Sequence, residues 1–231
     1  MLVSVSVRLA DGPTREMPLA ELTSDRVLSA VPWRVIRSRR GQRHLPGCYW
    51  SSTTGAHVVY ESRLELARLL FADIGREVVG IAAQPFLVRD DRRRHVPDFL
   101  LKRGDGSVMI VNVKPAERLE DPKIAEALVW AGQVFERRGW EHEIWCGADP
   151  QLLANVRFLA GYRRSALLDP LGVAADLPRE EDLTVAGAED ALRHAGVSNP
   201  RPIVLHLLWS GSLCADLSRP LTADTNLEVV S

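Results

Sequence analysis

Apolar and polar residues alternate on both sides of Asp11-Gly12 in VSVRLADGPTREMPL. That pattern predicts an antiparallel hairpin closed at an Asp-Gly turn. The chain then runs basic and turn-rich to about residue 55, with little periodicity. Helical spacing returns in YESRLELARLLFADIG, where Leu64, Ala67, Leu70 and Phe71 share one stripe and Gly75 marks the end. The β-branched run EVVGIAAQPFLVR, residues 77–89, predicts a strand with a bulge at Gly80. Residues 96–102 and 107–114 predict two more strands joined through Gly104-Asp105-Gly106. In EDPKIAEALVWAGQVFERRG, Asp121 suits a helix N-cap, Pro122 the first turn, and Gly139 follows two arginines at the other end. EHEIWCG predicts a short buried strand, and residues 150–162 a further helix.

The predicted order over residues 60–147 is thus helix, three strands, helix, strand, an α/β arrangement. Composition shifts at residues 167–182, in LLDPLGVAADLPREED, which predicts a boundary. Beyond it lie two apolar helical patterns, residues 185–194 and 202–209. The closing SLCADLSRPLTADTNLEV alternates as a wing-like hairpin would. The expected organisation is an N-terminal hairpin and basic segment (1–55), a core (56–166) and a small helical, winged-helix-like C-terminal domain (167–231).

Composition narrows the class. With 46% apolar and 26% charged residues among 231, the chain reads as a soluble globular protein. No apolar run approaches the ~20 residues that span a bilayer, and MLVSVSVRLADG lacks the basic and apolar regions of a secretory signal. Cys48, Cys146 and Cys214 form no CxxC pair, which argues against a zinc site or disulfide framework and for free thiols in a cytoplasmic protein. The net charge of −1 conceals a division. From residue 165 onward there are 10 acidic and 4 basic residues; the remainder carries 25 basic and 20 acidic. PWRVIRSRRGQRH and RDDRRRH concentrate the arginines, so the N-terminal part could meet phosphates while the C-terminal part suits protein contact.

The stretch RRRHVPDFLLKRGDGSVMIVNVKP carries the candidate chemistry. If Arg103 pairs with Ser107, then Asp98 lies opposite Asn112, and Lys114 shares the face of Asn112. The three would converge at one end of a buried sheet, and a register slip of one residue would break the convergence. A carboxylate and a side-chain oxygen can hold a hard cation such as Mg²⁺. A lysine beside them can orient or deprotonate water and offset phosphate charge, which suits metal-assisted phosphodiester hydrolysis. Upstream, Glu61 and Glu65 lie four apart on one helical face and could supply a further carboxylate.

These residues resemble the PD-(D/E)XK nuclease superfamily: an acidic residue from a helix, then PD, then a strand ending x-x-K. More closely, ESRLELARLLFADIGREVVGIAAQPF, VPDFLL and IVNVKPAE look like the TnsA-type endonuclease subunit of heteromeric transposases. The resemblance covers residues 60–147 and implies a restriction-endonuclease-like αβββαβ core. It implies Glu65, Asp98 and Lys114 as catalytic residues, with Asn112 departing from the superfamily's Asp or Glu. Glu65, Asp98, Asn112 and the main-chain carbonyl of Val113 would hold Mg²⁺, for which Mn²⁺ could substitute. Glu61 would be a reserve ligand or an ion-pair partner, and Gln84 is read as strand core. Arg37, Arg39, Arg40 and Arg43, with Trp33 and Trp50 flanking, would track the DNA backbone.

The implied function is cleavage of the 5′-ending strand at double-stranded transposon ends. An RNase-H-like transposase subunit and an AAA+ ATPase regulator are the implied partners, in a bacterial, nucleoid-associated setting without a membrane. Two alternatives stay open: a stand-alone nuclease of the same superfamily, and a non-catalytic subunit that docks DNA and partners.

Overall fold

The computed structural model describes residues 3–10, 12–34, 45–164 and 182–230. The chain gathers into two compact units, residues 1–147 and 148–231. The composition shift expected to divide it, residues 167–182, lies outside the described residues except for Asp182.

Unit 1 begins with the hairpin β1 (Ser4–Leu9) and β2 (Thr14–Pro18), followed by α1 (Ser24–Leu28) and β3 (Ala30–Val31). A second hairpin, β4 (Gly47–Ser51) and β5 (Ala56–Tyr60), arises where the sequence shows little periodicity. Then come α2 (Arg63–Ile74), β6 (Val78–Ala83), β7 (Leu87–Arg89), β8 (Arg94–His95), β9 (Phe99–Arg103), β10 (Val108–Val113), α3 (Pro122–Arg137) and β11 (Glu141–Trp145). The central sheet has the order β11-β10-β9-β6, with β10 and β11 parallel and the other neighbours antiparallel. Its succession α2, β6, β9, β10, α3, β11 is the αβββαβ order, a mixed α/β core.

The run 77–89 is two strands in two sheets, where the sequence predicts one. Gln84 takes φ +45°, a conformation uncommon outside glycine. The next residue, Pro85, offers no N–H to a ladder. The chain therefore turns out of the central sheet after β6 and enters a second one, β2-β1-β7-β8, in which β3 also pairs with β1. The bulge expected at Gly80 is present as a register shift between Val78 and Gly80. A Cβ there would sit 2.7 Å from Leu28, so the glycine also lets α1 approach β6.

One face of the central sheet packs on α3 and the N-terminal sheet through a shared core. Leu100 and Ile110 meet Trp130, Val134 and Phe135, with Val5, Val7, Phe86 and Val88 closing the layer. Phe86 lies 6.1 Å from the rings of both Phe135 and Trp140. Burying each such side chain contributes about 1.5–3 kcal/mol. α2 packs on the same sheet through Arg68, which ion-pairs with Glu143 of β11 at 2.8 Å. α2 also holds the β4–β5 hairpin, because the buried Asp73 accepts hydrogen bonds from Tyr49, Ser51, Ser52 and Thr53. Serving both neighbours buries Glu65, Leu69 and Ala72 as well as Ala67 and Leu70, which explains why the apolar stripe alone undercounts the buried face. β11 is an edge strand with exposed positions, where the sequence predicts a buried one.

Unit 2 contains α4 (Pro150–Leu159), α5 (Val185–His194) and α6 (Arg201–Ser210). α6 is buried from Ile203 to Trp209 and forms the middle of the unit. The expected wing reduces to β12 (Leu213–Cys214) and β13 (Glu228–Val229), paired over two residues each. Asn155 of α4 fixes the intervening chain by donating to Leu217 O at 2.8 Å and Arg219 O at 2.7 Å. Among the described residues, no helix is long and apolar enough to cross a membrane.

Candidate active site

The first candidate, Glu65, sits at the entrance of α2. Ser62 is the N-cap, and its Oγ accepts from Glu65 N at 3.0 Å. Glu65 replies through both oxygens: Oε1 accepts from Ser62 Oγ at 3.1 Å and Oε2 from Glu61 N at 2.8 Å. This is the Ser-x-x-Glu spacing of a capping box, legible in the sequence as SRLE, with the returning bond taken from the N–H of Glu61, one residue before the cap. Burial raises the carboxyl pKa to about 7; the Glu61 N–H bond opposes the rise and the charge of Asp98 adds to it.

Asp98 lies just before β9. The β9–β10 register runs as the Gly104-Asp105-Gly106 turn dictates, with Lys102 opposite Val108 and Phe99 opposite Val111. It slips at the next residue, because Asp98 N donates to Val111 O at 3.0 Å, so Asp98 and Phe99 share one partner as in a bulge. The carboxylate then turns onto the end of β10: Oδ2 accepts from Val113 N at 2.6 Å and lies 3.4 Å from Lys114 Nζ. Lys114 Nζ also donates to Val113 O at 2.9 Å. The Asp98 side chain is 11% exposed, whereas that of Lys114 is 31% exposed. One buried carboxylate, one main-chain carbonyl and one accessible ammonium therefore meet at the strand end.

Asn112 does not join that group by a hydrogen bond, contrary to the expected convergence. It is fully buried, and its amide is spent on two histidines. Oδ1 lies 2.6 Å from His95 Nε2, and Nδ2 lies 2.7 Å from His142 Nε2. The physical reason is the slip at Asp98, which removes the opposed pairing that alternation assumed. Burial lowers the pKa of both rings; for His142 the charge of His95 acts in the same direction. His95 also feels the charges of Asp98, Lys114 and Arg34.

Around this centre, Glu61 pairs with Arg34 at 3.1 Å. Gln84 is more than strand core: its Oε1 accepts from Arg34 N at 3.1 Å and its main-chain oxygen from Trp33 N at 2.9 Å. Both bonds hold the start of the basic segment near the site. Arg37, Arg39, Arg40 and Arg43 lie outside the described residues. Trp50 is on β4, opposite His57 of β5. The sequence reading passed over His95 and His142. Their only signal was position, His95 two residues before Pro97-Asp98 and His142 at the register point opposite Ile110.

Donor chemistry at the strand end suits a hard cation. Val113 O and Asp98 Oδ2 already receive the Lys114 ammonium, so these oxygens accept positive charge as they stand. Among the described residues no three His, Cys, Asp or Glu side chains form a metal-holding group. An ion here would need amide and main-chain oxygens as well as carboxylates.

Residues 73–146 match the family model described as TnsA-like endonuclease N terminal. The matched span runs from the last turn of α2 past the end of β11 and contains Asp98, Asn112, Val113 and Lys114. Comparison with curated proteins gives no significant match. With its mixed α/β core and the Asp98–Lys114 pair inside the matched span, the segment 73–146 is similar to the N-terminal domain of TnsA-like endonucleases.

Proposed function

We propose that this chain is the metal-dependent DNA endonuclease subunit of a heteromeric transposase, cutting the 5′-ending strand at transposon ends. One observation carries the reading: inside the matched domain, Asp98, Val113 O and Lys114 meet at the end of β10. Asp98, Glu65, Val113 O and Asn112 Oδ1 are the groups that would hold Mg²⁺, or Mn²⁺ in its place. When bound, the ion supplies charge neutralisation at the phosphodiester and a more acidic water. The remaining work falls to side chains. Lys114, anchored by Asp98 and Val113 but partly accessible, orients the attacking water and offsets phosphate charge. Glu65, whose pKa of about 7 leaves it partly protonated near neutrality, gives up its proton when it meets positive charge. Double-stranded DNA is the substrate, and an RNase-H-like transposase and an AAA+ ATPase are the partners this reading requires.

The test is reconstituted cleavage of DNA bearing transposon ends, with an RNase-H-like transposase subunit supplied as the partner. Nicks on the 5′-ending strand that vanish with Asp98→Ala and with Lys114→Ala support the proposal. Cleavage indifferent to both substitutions contradicts it. One observation favours a second reading, a non-catalytic docking subunit: both Glu65 oxygens are occupied in the capping box. Loss of assembly with the partners on deleting this chain, without loss of any nick, would select that reading.

A further inference from the structure

Arg34 combines a fixed main chain with an exchangeable head. Four hydrogen bonds fix the backbone around it. Gln84 Oε1 accepts from Arg34 N at 3.1 Å, and Gln84 O accepts from Trp33 N at 2.9 Å. Arg8 of β1 adds two more, its Nη1 donating to Pro32 O and to Trp33 O at 3.0 Å each. Gln84 is buried and takes its left-handed turn at this point. The same residue ties the segment to the candidate centre, because Gln84 N donates to Asp98 O at 2.8 Å.

The guanidinium is held far more loosely. Its bond is to Glu61 Oε2 at 3.1 Å, with the two side chains 51% and 32% exposed. Glu61 N in turn donates to Glu65 Oε2 at 2.8 Å. Arg34 is thus linked by hydrogen bonds to Asp98 through Gln84 and to Glu65 through Glu61. An ion pair this exposed contributes little to stability. Other arginines of unit 1 spend their heads on the fold. Arg68 pairs with Glu143 with only 11% of its side chain exposed, and Arg138 donates to Leu19 O and Leu22 O. Arg34 has its main chain anchored already, so its head can change partner while the segment stays in place. A phosphodiester offers the planar guanidinium two oxygens, as a carboxylate does.

We infer that Arg34 is a DNA-backbone contact of the cleavage site: its guanidinium releases Glu61 and takes a phosphate, on a main chain fixed relative to Asp98 by Gln84. The inference rests on the nuclease reading above for its ligand, duplex DNA. With the backbone fixed beforehand, binding has only the side-chain head to order.

The experiment is fluorescence anisotropy of a labelled DNA duplex titrated with the full chain in EDTA, from about 50 to 200 mM salt. EDTA keeps metal binding out of the measurement. The variants are Arg34→Ala, Arg34→Lys, Glu61→Gln, the double variant Arg34→Ala/Glu61→Gln, and Arg76→Ala as a control just past the opposite end of α2. Arg34→Ala should weaken binding alike on two duplexes of unrelated sequence, and lower the salt slope by about one contact. The advantage of wild type over it should then shrink about threefold across that salt range. Arg34→Lys keeps the charge and should keep the slope, and Arg76→Ala should bind as wild type does. Glu61→Gln should tighten binding, and do so much less in the Arg34→Ala background. Unchanged affinity and slope in Arg34→Ala, a loss confined to one sequence, or an equal loss in Arg76→Ala overturns the inference and leaves the nuclease reading standing. An equal gain from Glu61→Gln in both backgrounds also overturns it, since Glu61 would then act on DNA without Arg34. No duplex binding by wild type removes the inference and counts against the nuclease reading as well.

Discussion

Substituting Glu65→Gln should stabilise the protein above neutral pH and hardly change it in acid. In the folded chain the Glu65 carboxyl is lifted from 4.5 to about 7, chiefly by burial. One pKa unit corresponds to about 1.36 kcal/mol, so the folded state disfavours the Glu65 anion by about 3 kcal/mol. The sign follows from proton counting. Between about pH 4.5 and 7 the folded state holds a proton that the unfolded state has released, so stability falls as pH rises through this window. Below the window both states are protonated, and above it the full cost is present. Glutamine keeps the length and can still accept from Glu61 N or Ser62 Oγ, but it carries no charge to bury. Urea unfolding in EDTA at pH 4.5 and pH 8 measures both variants. Glu65→Gln should gain about 1–3 kcal/mol on wild type at pH 8, the lower figure allowing for one weakened capping bond, and less than about 1 kcal/mol at pH 4.5. Parallel pH profiles for the two proteins would refute the reasoning, because they would mean that Glu65 is ionised in the fold at little cost.

Other perturbations follow from the same contacts. Asp73→Ala removes the carboxylate that accepts from the β4–β5 hairpin, from three side-chain hydroxyls at 2.7, 2.5 and 3.1 Å and two main-chain N–H groups at 3.0 and 2.9 Å. Thermal unfolding should show a loss of about 3 kcal/mol or more, and less for Asp73→Asn. Gly132→Ala, ordinarily a gain of about 1 kcal/mol in a helix interior, should here destabilise, because the added Cβ meets His142 Nδ1 at 2.6 Å. Pairing it with His142→Ala should recover the helix-propensity gain. Added Mg²⁺ should raise the unfolding temperature of wild type more at pH 8 than at pH 5.5, since binding competes with the Glu65 proton. That pH dependence should flatten in Glu65→Gln.

Much of the core was legible in local pattern. The register of β9 on β10 followed from a three-residue glycine turn, and α3 announced both ends through Asp121, Pro122 and Gly139. The bulge at Gly80 and the order of elements through the central sheet were legible for the same reason. What escaped depended on contacts distant in sequence. β4 and β5 carry no clean alternation because Asp73 of α2, rather than an apolar face, holds their turn. The strand 77–89 divides because Gln84 takes a left-handed conformation stabilised by Trp33 and Arg34, some 50 residues away.

In the candidate site, Asp98 and Lys114 meet as the strand geometry implied, while the companion argument for Asn112 failed at one residue. Alternation assumes an unbroken ladder, and the ladder slips at Asp98. Pro97 beside it carries no N–H, yet nothing local states that the slip falls there and not one residue earlier. Glu65 presents the opposite case. Its capping-box spacing to Ser62 was visible in the sequence, and the structure gives its two oxygens to that task while leaving the carboxyl buried beside the charge of Asp98.

The most direct test of the account is a calorimetric titration of Mg²⁺, repeated with Mn²⁺, into wild type, Asp98→Ala and Lys114→Ala. The account predicts binding to wild type, loss with Asp98→Ala, and retention or strengthening with Lys114→Ala, whose ammonium occupies the same oxygens. Absence of binding to wild type, even with DNA present, would contradict it and leave the chain a docking subunit.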